Sequence, residues 1–172
     1  MRITKTKFKG LRIFKSKTFY DKRGYFREIS LFKNIKEKLI FTVVSKSKKN
    51  VLRGLHFQKR NAQGKYISVL KGKIFDVAVD CRKNSKTFGK HFKIVLSAKN
   101  SKSIFIPPGF AHGFVGLNDE NVVLYSCTNY RDKQSESGIM WNDPYLKIKW
   151  PINKPMLSAK DKKNKFFKFY FS

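Results

Sequence analysis

The sequence predicts an all-β fold in which short antiparallel strands form a sandwich or barrel. Hydrophobic residues make up 41% of the chain and lie mostly in short segments rich in β-branched and aromatic side chains. Gly, Pro and Asn separate these segments at short intervals. Helical periodicity is scarce along the sequence. A chain of 172 residues is long enough for a substantial core, so we expect a single domain over residues 1–172.

Nine segments have the composition of strands and are bounded by turn residues. They are residues 11–14, 25–31, 40–44, 51–57, 66–70, 74–81, 92–96, 103–106 and 122–127. Turns are predicted at residues 22–24, 71–72, 88–89, 107–109 and 118–119. Two short peripheral helices are predicted at residues 33–39 and 159–165. So many short strands are typical of a jelly roll of the cupin type, a double-stranded β-helix.

Two segments leave alternatives open. In residues 74–80, Phe75, Val77 and Val79 share one face of the predicted strand, since side chains alternate along a strand. The other face carries Asp76 and Asp80, which either line a polar cavity or are solvated. The C-terminal residues 160–172 mix lysines with five aromatic residues and either pack on a neighbouring subunit or are partly disordered.

The formal net charge of +28 comes from 8 Arg and 31 Lys set against 11 acidic residues. Such a charge attracts polyanions, including nucleic acids and phosphorylated small molecules. The lysines are spread along the whole chain, however, so we expect a solvated surface and no nucleic-acid partner. No apolar run is long enough to span a membrane, and the basic start of the chain has no apolar stretch of a secretory signal after it. The distant Cys81 and Cys127 fit reduced thiols in the cytoplasm.

The three histidines are the best candidates for chemistry, because imidazole transfers protons near neutral pH. His56 lies in residues 53–58 (RGLHFQ) and His112 in residues 106–114 (IPPGFAHGF), both of which are β-rich and bounded by Gly or Pro. His91 has lysine neighbours and is predicted at the surface. The alternative for His56 and His112 is a structural role as hydrogen-bonded residues.

The sequence lacks the motifs of several enzyme classes. It has no pair or cluster of metal ligands, no Gly-x-Ser-x-Gly elbow, and no GxGxxG or Walker loop. We therefore expect neither a metal nor another cofactor. Acid–base chemistry remains, with His56, an aspartate, Lys65 and a tyrosine such as Tyr125 as candidates. Composition and spacing alone do not select among the aspartates and tyrosines.

Ten short motifs occur in collinear order over nearly the whole chain. They are RGLHFQ at residues 53–58, AQGK at 62–65, FDVAVD at 75–80, SKTFG at 85–89, LSAKN at 96–100, IPPGFAHGF at 106–114, LY at 124–125, WND at 141–143, IKWP at 148–151 and LSAKD at 157–161. In these motifs the chain resembles the dTDP-4-dehydrorhamnose 3,5-epimerase family. The resemblance implies a metal-free, homodimeric cupin that converts dTDP-4-dehydro-6-deoxy-D-glucose into dTDP-4-dehydro-L-rhamnose.

The resemblance also implies roles for the catalytic residues. The C4 ketone of the substrate acidifies the protons on C3 and C5, and His56 would remove them with Asp161 as its orienting partner. Lys65 would stabilise the enolate charge on O4, as an oxyanion hole does. Tyr125 would return a proton to the opposite face of the sugar.

The resemblance further implies a set of substrate-binding residues. His112 and Arg53 would complete the polar pocket around the sugar. Arg23 would pair with a diphosphate oxygen, since a guanidinium makes charge-assisted hydrogen bonds to phosphate. Phe19, Phe26 and Glu28 belong to the same nucleotide-binding stretch. The two phenylalanine rings either stack on the nucleobase or lie in the core. The carboxylate of Glu28 either binds the substrate or only braces a strand.

The chain departs from the family pattern at residues 41–44. The sequence there is FTVV, where the family carries a Gln-Asp-Asn-type stretch that helps to hold the nucleotide sugar. This departure leaves open how the nucleotide is held and which nucleobase is preferred. Separately, two alternatives to the double epimerase stay open. One is a single-site epimerase acting at C3 or C5 of a related dTDP-4-keto sugar, and the other is a non-catalytic cupin that binds sugar nucleotides.

Overall fold

A computed structural model describes residues 1–29 and 35–171 of the chain. Over these residues the chain forms thirteen strands, a single 3₁₀ turn after the last strand (Asp161–Lys163) and the short helix α1 (Phe167–Phe171). The strands are β1 (Arg2–Lys5), β2 (Arg12–Lys15), β3 (Thr18–Asp21), β4 (Gly24–Arg27), β5 (Phe41–Ser47), β6 (Leu52–Gln58), β7 (Lys65–Lys71), β8 (Lys73–Asp80), β9 (His91–Ser97), β10 (Lys102–Ile106), β11 (Phe110–Gly116), β12 (Asn121–Cys127) and β13 (Glu136–Gly138).

The strands form two large antiparallel sheets and one separate hairpin. The six-stranded sheet has the order β1-β2-β10-β7-β12-β5, and the five-stranded sheet has the order β13-β6-β11-β8-β9. Strands β3 and β4 pair only with each other. This is the predicted jelly roll of the cupin type, and the all-β prediction is confirmed. No helix in residues 1–29 or 35–171 is long and apolar enough to cross a membrane.

The main core lies between the two large sheets. Ile67 and Val123 come from the six-stranded sheet, and they share one buried cluster with Ile74, Ala78 and Phe114 of the five-stranded sheet. The intervening residues of β8 point the other way, as the alternation predicts. They join a second cluster on the far face, formed with the C-terminal segment, which contains Val77, Val79, Leu146 and Phe167.

Over the described part, which ends at residue 171, the aromatic tail packs on its own sheet and is not disordered. Packing on a neighbouring subunit stays a prediction, since Phe166 and Phe169 are more than half exposed. Phe167 is buried and stacks on Tyr145 with ring centroids 5.4 Å apart. Its backbone N–H donates to Asp143 Oδ2 at 2.5 Å. The hydrophobic effect favours this packing, because the rings of α1 remove the apolar outer face of the five-stranded sheet from water.

The two carboxylates of β8 are both buried, so the alternative that they are solvated is wrong. Asp76 faces His112, whereas Asp80 accepts hydrogen bonds from the side chains of Arg82, Ser85 and Thr87. Burial alone would raise the pKa of Asp80, but these hydrogen bonds outweigh it and lower the pKa to about 2. Asp80 therefore anchors the loop between β8 and β9.

Several element predictions differ from the structure. The helix predicted at residues 159–165 shrinks to the 3₁₀ turn, because Ser158 Oγ accepts the N–H of Asp161 and the chain extends again at Asn164. Residues 35–39 are not helical, and residues 30–34 of the other predicted helix and of the strand at 25–31 lie outside the described residues. Strand β4 ends at residue 27, so Glu28 lies beyond it. Strands β1, β3, β11 and β13 had no strand prediction.

Candidate active site

A cavity of about 740 Å³ opens between the two large sheets. Its walls come from β5, β7 and β12 of the six-stranded sheet, from β6, β11 and β13 of the five-stranded sheet, and from residues 156–161. The size suits a small-molecule ligand. Of the sequence-predicted residues, the cavity brings together His56, Lys65, Tyr125, Asp161, Arg53 and His112.

Strands β6 and β11 place two histidines side by side. His56 and His112 are directly opposed in the antiparallel register of the two strands. Gly54, with a φ of 126°, allows the strands to approach, since a Cβ at this position would lie 2.5 Å from the Cα of Gly113. The glycine in RGLHFQ therefore has a structural reason to precede the histidine by two residues.

His56 forms a short hydrogen bond with Asp161. The distance from His56 Nε2 to Asp161 Oδ1 is 2.5 Å, and the carboxylate is buried while the imidazole is partly exposed. Burial tends to raise the pKa of Asp161, but hydrogen bonds and charge interaction with His56, Ser158 and Asn164 lower it overall. A carboxylate accepts the Nε2 proton, so Nδ1 of His56 keeps its lone pair and can act as a base.

The opposite sheet carries a cation and a phenol. Lys65 and Cys127 are partners in the register of β7 and β12, and Tyr125 lies two residues before Cys127 on the same face. Burial lowers the pKa of Lys65, although the nearby Cys127, Glu136 and Asp76 oppose the shift. Burial raises the pKa of Tyr125 well above that of a free phenol, although Ser45 opposes it through a hydrogen bond of 3.0 Å.

A second histidine–carboxylate pair lies deeper in the cavity wall. His112 Nε2 is 2.7 Å from Asp76 Oδ2, and both side chains are almost fully buried. Asp76 Oδ1 has no hydrogen-bond partner among the described residues. Arg53 reaches from β6 to the other sheet, where its Nε donates to Ser47 Oγ at 2.8 Å. Its guanidinium is thereby fixed at the cavity.

Sequence reasoning missed a charged cluster on the same cavity. Glu136 accepts from Arg131 Nη2 at 2.7 Å and pairs with Lys160 Nζ at 2.9 Å. All three residues line the cavity, as does Ser45. Lys160 adjoins Asp161 in the LSAKD motif, and this position was the one sequence feature that could have predicted it at the site. Glu136 and Arg131 belong to no quoted motif, so nothing distinguished them from other charged residues.

The predicted nucleotide-binding stretch does not line this cavity. Phe19 and Phe26 are directly opposed on the β3–β4 hairpin, and both rings are at least half exposed. The alternative that they are core residues is therefore wrong. Arg23 lies at the hairpin turn with its side chain 90% exposed and paired to Asp21 at 2.6 Å. Glu28 follows the hairpin and is exposed.

His91 and Cys81 do not line the cavity, whereas Cys127 does. His91, predicted at the surface, is instead half-buried, and burial lowers its pKa. Cys81 and Cys127 are both free and buried. Within the described part of the chain, no three His, Cys, Asp or Glu side chains come together in a way that could hold a metal ion.

Comparison with known proteins agrees with this geometry. A family model described as dTDP-4-dehydrorhamnose 3,5-epimerase matches residues 5–168. The dTDP-4-dehydrorhamnose 3,5-epimerase of Salmonella typhimurium (strain LT2) is 48% identical over 170 residues, which cover 94% of this chain and 92% of the relative.

Solved structures are similar over nearly the whole chain. The dTDP-6-deoxy-D-glucose-3,5-epimerase from Legionella pneumophila Philadelphia 1, in complex with dTDP-4-keto-L-rhamnose, has a TM-score of 0.93 at 40% identity and covers 97% of this chain and 93% of its own. A 3'-monoepimerase from Streptomyces bikiniensis, in complex with dTDP-quinovose, has a TM-score of 0.87 at 25% identity and covers 94% and 85%.

Proposed function

The chain belongs to the dTDP-4-dehydrorhamnose 3,5-epimerase family, and we propose that it inverts C3 and C5 of dTDP-4-dehydro-6-deoxy-D-glucose to give dTDP-4-dehydro-L-rhamnose. One observation carries the proposal: His56, which is paired with Asp161, and Tyr125 lie on opposite sheets and line one cavity. Inversion requires removal of a proton from one face of the sugar and its return to the other. A cavity with a base on one wall and an acid on the other meets that requirement.

We assign the first step to His56. Its Nδ1 takes the acidic proton from C3 or C5, and the electron pair moves to O4 of the ketone as an enolate. The buried carboxylate of Asp161 fixes the tautomer and stabilises the imidazolium as it forms.

Lys65 is assigned to the developing charge on O4. An ammonium in a partly desolvated wall interacts with an oxyanion more strongly than one in water, because the local dielectric constant is lower. His112 and Arg53 line the same cavity and bind the sugar and its diphosphate. Tyr125 then delivers its proton to the opposite face of the same carbon, which completes the inversion.

The double epimerase is favoured over the single-site alternative by sequence. The relatives named as 3,5-epimerases share 40–48% identity with the chain in the Salmonella and Legionella examples, against 25% for the 3'-monoepimerase. The non-catalytic alternative does not explain why a base, a cation and a phenol line one cavity.

Deuterium incorporation tests the reaction and separates the roles of base and acid. In D₂O the wild-type enzyme should place deuterium at both C3 and C5, as followed by NMR. Tyr125→Phe should retain proton abstraction, so the substrate still exchanges a ring proton, while the inverted product falls sharply. If Tyr125→Phe forms inverted sugar at the wild-type rate, Tyr125 is a packing residue and the acid lies elsewhere.

We further propose that the enzyme works as a homodimer in the cytoplasm. Four rings of the β3–β4 hairpin, those of Phe19, Tyr20, Tyr25 and Phe26, are 50–73% exposed, and a second subunit would give them cover. Arg23 at the tip does not line the cavity of its own chain, so its diphosphate contact would be made in the partner's cavity. Free buried thiols at Cys81 and Cys127 fit a reducing compartment.

Mixing two defective variants tests this arrangement. His56→Ala and Arg23→Ala, co-expressed with different tags, should form heterodimers in which one cavity carries both defects and the other carries neither. Random pairing should then recover about a quarter of the wild-type activity at low substrate concentration. No recovery in purified heterodimers, or a monomer by light scattering, would contradict the proposed role of Arg23.

A further inference from the structure

The hydroxyl of Tyr125 has one hydrogen-bond partner among the described residues. Ser45 Oγ lies 3.0 Å from it, and either atom can be the donor. The tyrosine ring packs against His112 and Phe114, with ring centroids 6.4 Å and 6.3 Å away. Ser45 is half-buried and itself lines the cavity. Tyr125 is also half-buried and lines the cavity, so its hydroxyl and that of Ser45 lie side by side at the cavity wall.

The reaction leaves Tyr125 in a state that must be reset. Each inversion takes the phenol proton, so a phenolate remains on one wall and an imidazolium at His56 on the other. Burial disfavours the phenolate strongly. Two inversions on one bound sugar also require that Tyr125 receive a new proton while the substrate still fills the cavity.

We propose that Ser45 is the relay through which Tyr125 regains its proton from solvent between inversions. This assignment rests on the proposed function. The O–H bond of Ser45 breaks as the O–H bond of Tyr125 re-forms, and Ser45 takes a proton from a water molecule in the same step. The hydroxide so formed is neutralised by the proton that His56 releases to solvent, so the cycle adds and removes no net charge.

The position of Ser45 suits a relay. Strand β5 is an edge strand of the six-stranded sheet, so no strand among the described residues pairs with its outer side. The titratable groups that act on the phenol are Asp76 from β8, Arg53 from β6 and Cys127 from β12, and none of them is a hydrogen-bond partner of its hydroxyl. Ser45 is thus the one described side chain that can hand a proton to Tyr125 directly.

The chain offers a matched control on the same pair of strands. Thr42 Oγ1 and Ser126 Oγ form a hydrogen bond of 3.2 Å between β5 and β12, and neither residue lines the cavity. Ser126→Ala removes a hydroxyl bond between the same strands as Ser45→Ala does, but on the other face of the sheet. Ser45→Thr keeps a hydroxyl at this position and tests whether that hydroxyl restores kcat.

Rapid-quench kinetics with enzyme in excess over dTDP-4-dehydro-6-deoxy-D-glucose separate the two inversions. In Ser45→Ala the first inversion should run within about twofold of wild type, because Tyr125 starts protonated. The second inversion and steady-state kcat should fall at least about tenfold, with the ~10²–10⁴-fold of general acid–base catalysis as the upper range, and singly inverted sugar should accumulate. Ser45→Thr should recover most of kcat, and Ser126→Ala should match wild type.

Two results would overturn the relay. Steady-state kcat of Ser45→Ala at the wild-type level would show that water reloads Tyr125 unaided. A first inversion slowed as much as the second would show that Ser45 only orients the phenol. Failure of the proposed function is distinguishable from both, because the wild-type enzyme itself would then produce neither inversion nor isotope exchange.

Discussion

Asp161→Asn measures how much a buried carboxylate contributes to the base. The substitution is nearly isosteric and keeps an oxygen that can accept from His56 Nε2, so the tautomer can be preserved. It removes the negative charge that lies 2.5 Å from the imidazole. The charge matters when His56 becomes an imidazolium, so the loss should appear in kcat.

The size of the effect follows from the contact. A hydrogen bond between charged partners contributes about 1.5–3 kcal/mol, and about 1.4 kcal/mol changes a rate tenfold. The side chain of His56 is 27% exposed, so solvent screens part of the interaction and the lower part of this range applies. We expect kcat to fall about 10–40-fold. His56→Ala, which removes the base itself, should cost several orders of magnitude.

The assay is the rate of proton exchange at C3 and C5 in D₂O together with steady-state turnover. Asp119→Asn is the matched control, because it removes one carboxylate from an exposed turn that does not line the cavity. A thermal melt shows whether Asp161→Asn is still folded. Wild-type kcat in folded Asp161→Asn, or near-normal activity in His56→Ala, would refute the assignment of this pair as the base.

Three further outcomes are expected. Exhaustive chelation should leave activity unchanged, and a loss restored by one specific divalent ion would overturn the cofactor-free mechanism. KM should change little with ionic strength, because the lysines are spread along the chain; a steep rise with salt would show that the surface steers the substrate. Asp80→Asn should lower the free energy of unfolding by about 1–3 kcal/mol at neutral pH, as measured by urea titration. Because the pKa of Asp80 is depressed to about 2, its contribution is complete above about pH 4 and disappears as the pH falls towards 2, so the gap between wild type and variant should close in acid.

The fold could be predicted largely from local patterns. Strands such as β8 alternate cleanly, and their two faces enter two different cores. The motif around His112 is β-rich, but strand β11 (Phe110–Gly116) received no strand prediction of its own because it directly follows the Pro-Pro-Gly turn and contains Gly113 and Gly116, a residue type depleted in strands. The helix predicted at residues 159–165 failed because the side-chain hydrogen bond of Ser158 and the pairing of Asp161 with His56 override helix propensity.

The site could be predicted only in part. His56 and His112 stood out because histidines are rare here and both lie in bounded β-rich motifs. Asp161 is 105 residues from His56 in sequence, and no local pattern connects them, so this pairing rested on the resemblance alone. Glu136 and Ser45 were missed because their importance comes from which strands pair, and pairing is a tertiary property that the sequence around each residue does not encode.

The structure shows which residues of the unusual stretch at 41–44 line the cavity. Phe41 and Val43 line the cavity, whereas Thr42 bonds to Ser126 away from it. Since alternate residues of β5 face the cavity, the unusual stretch replaces part of a polar wall with an apolar one. An apolar wall cannot donate hydrogen bonds to a diphosphate. We expect the polar grip on the nucleotide to come from the remaining cationic groups of the cavity, which include Arg53, Arg131 and Lys160, and, under the proposed homodimer, from Arg23 of the second subunit.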